Sequence, residues 1–202
     1  MNTTALPLRN TLTWAALFFA LAVPPSSPAQ EAVLELDSAQ THIGFTLNGV
    51  LTTVQGTFKL KSGTIRFDPT TGKAGGLVVI DVTSGESDRP DRDRKMHKDV
   101  LESRKYPEAT FTPGRIFGRL EAQGDSPIEL DGIFKLHGKE HDLALATMVR
   151  KDRDQLTASA RFVIPYVEWG LKNPSTLFIH VGNTVEIDVE TVGRITLPGA
   201  PQ

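Results

Sequence analysis

The sequence predicts an all-β antiparallel fold with one short helix, on three observations. Apolar residues alternate with polar ones at a period of two through most of the chain, clusters of turn-forming residues separate the alternating runs, and only one segment carries apolar residues at helical spacing. In the first run Ile43, Phe45 and Leu47 alternate with His42, Gly44, Thr46 and Asn48; in the second Val54, Gly56, Phe58 and Leu60 alternate with Thr53, Gln55, Thr57 and Lys59. The period recurs at Ile65 and Phe67, at Leu77 and Val79, at Ile128, Leu130, Gly132, Phe134 and Leu136, and at Leu143 and Leu145. It returns at Leu156, Ala158, Ala160 and Phe162, and finally at Val185, Ile187 and Val189. Successive strand side chains point to opposite faces, so each run presents one apolar face for burial.

The separators at 68–72, 123–127, 137–140 and 151–154 are rich in Gly, Pro and Asp and are read as turns. Strands joined in succession by short hairpins form a meander that closes into a barrel or folds into a sandwich. Closure is favoured because it leaves no unpaired edge. The exception is the segment 91–103, where Met96, Val100 and Leu101 fall on one face of a short amphipathic helix. Tyr106 precedes Pro107, which disfavours helical backbone there, so the chain turns into a strand at 108–112.

Composition narrows the function classes. A chain of 202 residues, 39% hydrophobic and 23% charged, suits a single soluble domain. Its net charge of −2 becomes −3 without residues 1–29, whose only charge is Arg9, so it lacks the basic field that nucleic-acid phosphates require. With no cysteine, disulfide scaffolds, thiolate nucleophiles, Cys-ligated zinc and lipid attachment through an N-terminal Cys are all excluded. Arg9, the apolar run from Trp14 to Val23 and the small residues Ser27-Pro28-Ala29 read as a secretory signal cleaved after Ala29, leaving Gln30 as the mature N-terminus. The apolar run is about half of the ~20 residues needed to span a bilayer. The expected organisation is a signal peptide at 1–29, one domain at 30–195 and a flexible tail at 196–202.

Few residues invite catalytic chemistry. His137-Gly138-Lys139-Glu140-His141 matches the letters of one zinc-protease motif, but that motif needs both histidines on one helical face, and here the five residues join two alternating runs. The expectation is a hairpin turn with two polar histidines, with His42 and His180 placed in strands. Gly124-Asp125-Ser126 lies in a Pro-bounded turn without nucleophile-elbow architecture, and neither a P-loop nor a dinucleotide fingerprint occurs. The mixed signs at 88–95 read as self-paired surface charge. The reading is of a non-enzyme, without cofactor or metal.

Five fragments then occur in order: Leu36-Asp37-Ser38-Ala39-Gln40-Thr41-His42-Ile43-Gly44-Phe45, Val54-Gln55-Gly56-Thr57-Phe58, Arg94-Lys95-Met96-His97-Lys98-Asp99-Val100-Leu101-Glu102, Tyr106-Pro107-Glu108-Ala109-Thr110-Phe111, and Leu136-His137-Gly138. Together they resemble the YceI family of secreted lipid-binding proteins, from about residue 33 to about residue 195. The resemblance implies an eight-stranded antiparallel lipocalin-like barrel, an amphipathic isoprenoid such as a polyprenyl quinone or polyprenol in an apolar tunnel, and a bacterial periplasmic setting. It implies a binder or carrier without an assigned reaction, for which transient membrane contact is an expected partner interaction. Two segments depart from the family pattern, 164–175 around Trp169 and Val82-Thr83-Ser84-Gly85-Glu86-Ser87, and both bear on ligand choice.

An extended ligand of roughly 40 carbons occupies on the order of 1,000 Å³, near the upper end of ordinary pockets. The lining expected on this reading is Phe45, Phe58, Phe67, Phe111, Phe134, Leu143, Leu145 and Phe162. Arg94 and His97 are expected at the mouth, over Met96 and Leu101 as an adaptable lid. The alternatives are a secreted barrel that binds a different small molecule or a protein partner and, more remotely, a hydrolase or metal enzyme using the five histidines.

Overall fold

The computed structural model describes residues 31–51, 53–122, 124–175 and 180–198, so the signal peptide and cleavage site expected from the sequence, and the last four residues of the expected tail, lie outside it. Among the described residues nine antiparallel strand segments form one closed sheet: β1 (Ala32–Leu36), β2 (His42–Asn48), β3 (Thr53–Phe67), β4 (Ala74–Ser87), β5 (Glu108–Phe117), β6 (Asp125–Leu136), β7 (Lys139–Asp152), β8 (Gln155–Ile164) and β9 (Val185–Thr196). From β3 the order runs through β4, β5, β6, β7, β8 and β9, and then returns to β3 through β1 and β2.

The nine segments fill eight barrel positions, because β1 and β2 share one. The β1 segment pairs Leu34 with Ile65 of β3 and Ile195 of β9, while β2 pairs Phe45 with Gly56 of β3 and Ile187 of β9. Between them a single 3₁₀ turn at Ser38–Gln40 offsets the chain. Asp37 starts it, its carboxylate accepting the Ala39 N–H at 2.8 Å and the Gln40 amide at 2.6 Å, contacts that hold its pKa below the ordinary carboxylate value. Thr41 closes the turn, its hydroxyl donating to the Asp37 carbonyl at 2.7 Å. The eight-stranded antiparallel barrel with one short helix is therefore the fold.

Hairpin chemistry sets the ends of the strands. At β6–β7 only His137 and Gly138 intervene, with φ of 52° and 78°, as a two-residue primed turn requires. At β3–β4 the Asp68 carboxylate accepts the Thr70 and Thr71 N–H groups at 2.7 and 3.3 Å. The upper end of the barrel, as we orient it, carries the β2–β3 hairpin, the helical segment, the β6–β7 turn and the β8–β9 loop. The lower end carries the β3–β4 and β7–β8 turns and the β5–β6 loop.

Three local expectations are corrected. Residues 125–127, expected in a turn, belong to β6; residues 125–128 pair with β7 alone, since the β5–β6 ladder stops at Glu129, and this one-sided stretch tolerates Pro127. Ser126 there is fully buried and accepts the Glu121 N–H at 2.9 Å, a structural role. The helix α1 spans Pro90–Lys95 and widens into a π-turn at Met96–Val100, with the Leu101 N–H reaching back five residues to the Met96 carbonyl at 2.9 Å. It ends short of residue 103, with Glu102 at a φ of 45°. His180 lies in the β8–β9 loop and not in a strand.

Candidate functional site: a cavity through the barrel

The inward faces of the strands do not meet. They enclose a cavity of about 1360 Å³ that extends from the helical segment at the upper end to the β3–β4 turn and the β5–β6 loop at the lower end. Its wall draws on two buried clusters. The upper contains Ile43, Phe45, Val54, Leu60, Val82, Phe111, Phe134 and Ile187, and the lower contains Leu34, Ile65, Val149, Leu156 and Ile195.

Three of the aromatic residues lie over glycines. A Cβ at Gly56 would stand 2.4 Å from the Phe45 ring, one at Gly85 2.5 Å from Phe58, and one at Gly132 2.7 Å from Phe111. Each ring thus leans onto bare backbone, where any larger residue would drive it off the wall. The aromatic surface lines the lumen instead of filling it.

Ten of the twelve residues singled out in the sequence line this cavity: Phe45, Phe58, Phe67, Met96, Leu101, Phe111, Phe134, Leu143, Leu145 and Phe162. The inward alternation of Leu143, Leu145, Thr147 and Val149 on β7 is unbroken, with Asp142, Ala144, Ala146 and Met148 exposed on the other face. The structure places the other two elsewhere. Arg94 is exposed and paired with Asp91, one helical turn away. His97 is a clasp: its Nε2–H donates to the Gly85 carbonyl at 2.7 Å, and Nδ1 accepts the Ser103 hydroxyl at 3.0 Å. The carbonyl can only accept, so this bonding assigns the tautomer. Helical phase moves both side chains off the lumen and turns Arg89, Asp91, Arg92 and Lys95 toward it.

The upper end also uses residues that no periodicity marks. Tyr166, Leu171, Pro174 and Val181, all in the loop between β8 and β9, line the cavity. Tyr166 is buried, and its hydroxyl donates to the Gly182 carbonyl at 2.7 Å; burial pushes its phenol pKa up. The Leu171 N–H returns to the Tyr166 carbonyl at 3.0 Å, curling the loop inward. Trp169 stacks on His141, ring centres 4.0 Å apart and nearly parallel at 6°, which fixes the loop to β7. His137 instead bonds Glu102 at 2.7 Å, so the two histidines of the zinc-like motif serve different contacts. Among the described residues no group of three His, Asp or Glu side chains is placed to hold a metal ion.

A closed antiparallel barrel with an apolar lumen of this size is a ligand-enclosing barrel, a class in which eight strands leave room for one small molecule. The family model of the YceI-like domain matches residues 34–193, and the chain belongs to that family. Two solved structures share the fold. BcnA of Burkholderia cenocepacia is 19% identical with a TM-score of 0.63, covering 78% of this chain and 98% of its own. A polyisoprenoid-binding domain from Saccharophagus degradans, implicated in plant cell wall breakdown, is 17% identical with a TM-score of 0.59, covering 81% of this chain and 98% of its own. No curated protein matches the sequence.

Proposed function

We propose that this protein is an exported periplasmic carrier that holds an amphipathic isoprenoid, a polyprenyl quinone or polyprenol, extended along its barrel. The observation that carries the reading is the apolar cavity of about 1360 Å³ running the length of the barrel, large enough for a ligand of roughly 40 carbons. Membership of the YceI-like family and the polyisoprenoid-binding neighbour support the same chemical class. Export rests on Arg9, the apolar run at 14–23 and Ser27-Pro28-Ala29.

Energetics favour transfer over storage. Burying each CH₂ gains about 0.8 kcal/mol relative to water, but a membrane offers the same gain, so a carrier need only match the bilayer. The wall supplies the apolar match, and the charged residues at the two ends of the cavity supply polar contact for a head group. Binding, without a chemical step, is all this arrangement requires.

The test is mass spectrometry of an organic extract of the protein purified from its native host. An isoprenoid in near-stoichiometric amount is expected. An extract without such a lipid, together with failure of the lipid-free protein to take up ubiquinone from detergent micelles, overturns the reading.

A further inference from the structure

Val50 and Leu51, at the tip of the β2–β3 hairpin, are 80% and 89% exposed, whereas the other large exposed apolar residues among the described ones range from 37% to 55% and no two of them are adjacent in the sequence. From Ser38 to Phe58 the sequence contains no Asp, Glu, Lys or Arg, in a chain that is 23% charged. A hairpin that presents two adjacent aliphatic side chains to water and carries no Asp, Glu, Lys or Arg through β2 and the first six residues of β3 has the composition of an element that enters an apolar phase.

Its position matters as much as its composition. Leu47 and Val54, paired at the base of the tip, line the cavity, so the apolar lining ends three residues from Val50 on one strand and three from Leu51 on the other. The tip is also held firmly. The Val50 N–H donates to the His180 carbonyl at 3.0 Å and the Gly182 N–H to the Asn48 carbonyl at 2.7 Å, so insertion would not strand these backbone donors. At the same end of the barrel, where Ser87 just before α1 pairs with Gly56 of β3, Arg89 and Lys95 at the two ends of α1 face the cavity without an ion pair among the described residues. The neighbouring carboxylates are engaged, Asp88 with Arg92, Asp91 with Arg94, and Asp93 with the Ser87 N–H and hydroxyl.

We propose that the β2–β3 tip is a membrane-docking element: Val50 and Leu51 enter the outer acyl region of a phospholipid bilayer while Arg89 and Lys95 meet its phosphates, setting the upper mouth of the cavity against the lipid. The proposal takes its purpose from the carrier reading above, but the docking surface is tested separately. An aliphatic pair and two cations supply weak, reversible attachment, which suits a carrier that must leave again.

The experiment uses the full mature chain with vesicles of phosphatidylcholine alone and of phosphatidylcholine mixed with phosphatidylglycerol. The native protein is expected to float with the mixed vesicles and less with the neutral ones. A V50D/L51D variant is expected to lose about tenfold or more in partitioning while binding ubiquinone in detergent unchanged, since neither side chain lines the cavity. In a separate Leu51→Trp variant, the added emission above the Trp169 background is expected to shift blue on mixed vesicles and to be quenched by brominated acyl chains. Equal flotation of native and V50D/L51D protein overturns the proposal, as does a dimer in solution that the double variant dissolves. Loss of ubiquinone binding alone, with tip-dependent flotation intact, leaves docking supported and removes the carrier reading.

Discussion

At the lower end of the barrel five strand residues, Leu34, Ile65, Val149, Leu156 and Ile195, are buried together, whereas the helical segment at the upper end has no fully buried residue. It rests on the barrel through the half-buried Met96, Val100 and Leu101, and it is fastened by polar bonds. Ser87 binds Asp93, His97 bridges Gly85 and Ser103, and Glu102 binds His137. Burial gives the strands non-directional cohesion spread over the wall, while the helical segment depends on a few directional contacts that can open one at a time. The barrel wall thus resists opening while one segment at its upper end is suited to it, and Val50 and Leu51 stand exposed at that same end.

Ile195 is buried across the β1–β9 closure yet does not line the cavity. Ile195→Ala is expected to cost about 2–5 kcal/mol of global stability, read from denaturant melts, because the cavity it leaves is in packed wall. A cost below about 1 kcal/mol would mean that the wall at the lower end is no more cohesive than the helical segment.

His97→Ala sharpens the contrast from the other side. It leaves the buried Ser103 hydroxyl and the Gly85 carbonyl without their partner, a local cost of about 1–3 kcal/mol. Amide exchange is expected to accelerate across residues 90–103 while the strands keep their protection. Uniform acceleration across the barrel would show that the helical segment is not a separate opening unit.

The smallest expected change in stability is at Leu145, midway along β7 and facing the lumen. In a close-packed interior Leu145→Trp would strain its neighbours by about 1–3 kcal/mol. In the open cavity the indole is expected to leave the lipid-free protein's melting nearly unchanged and to weaken ubiquinone uptake. A large stability loss with uptake per folded molecule intact would show that the space between the two ends is packed here.

Legibility in the sequence divided along the same lines. Strands with one apolar and one polar face announce themselves, because alternation is a local property of the chain. Phe45, Phe58, Leu143 and Leu145 were all readable as inward from their neighbours alone, and so was the turn at His137-Gly138. The turn expected at 125–127 failed because Pro127 and Asp125 are turn formers by propensity, but a strand paired on one side accommodates both. Arg94 and His97 failed for a different reason. A helix's rotation about its axis is set by what it packs against, and Met96, Val100 and Leu101 claim the inner face. Tyr166 and Leu171 follow no period, since a loop takes its side-chain directions from the body it folds over.

Residue spacing and local backbone preference were therefore enough for the antiparallel strands, their short hairpins, the single helical segment and the apolar character of one strand face, while the closed eight-stranded barrel was implied by the family resemblance. Only the tertiary structure decided that β1 and β2 share one strand position and that His97 is a clasp. It alone settled that Phe45, Phe58 and Phe111 lean onto Gly56, Gly85 and Gly132 and leave a lumen about 1360 Å³ in volume. An inward-facing aromatic reads the same in the chain whether it fills a core or lines a cavity. The difference lies in the distance between opposite walls, which is set by strand number and closure.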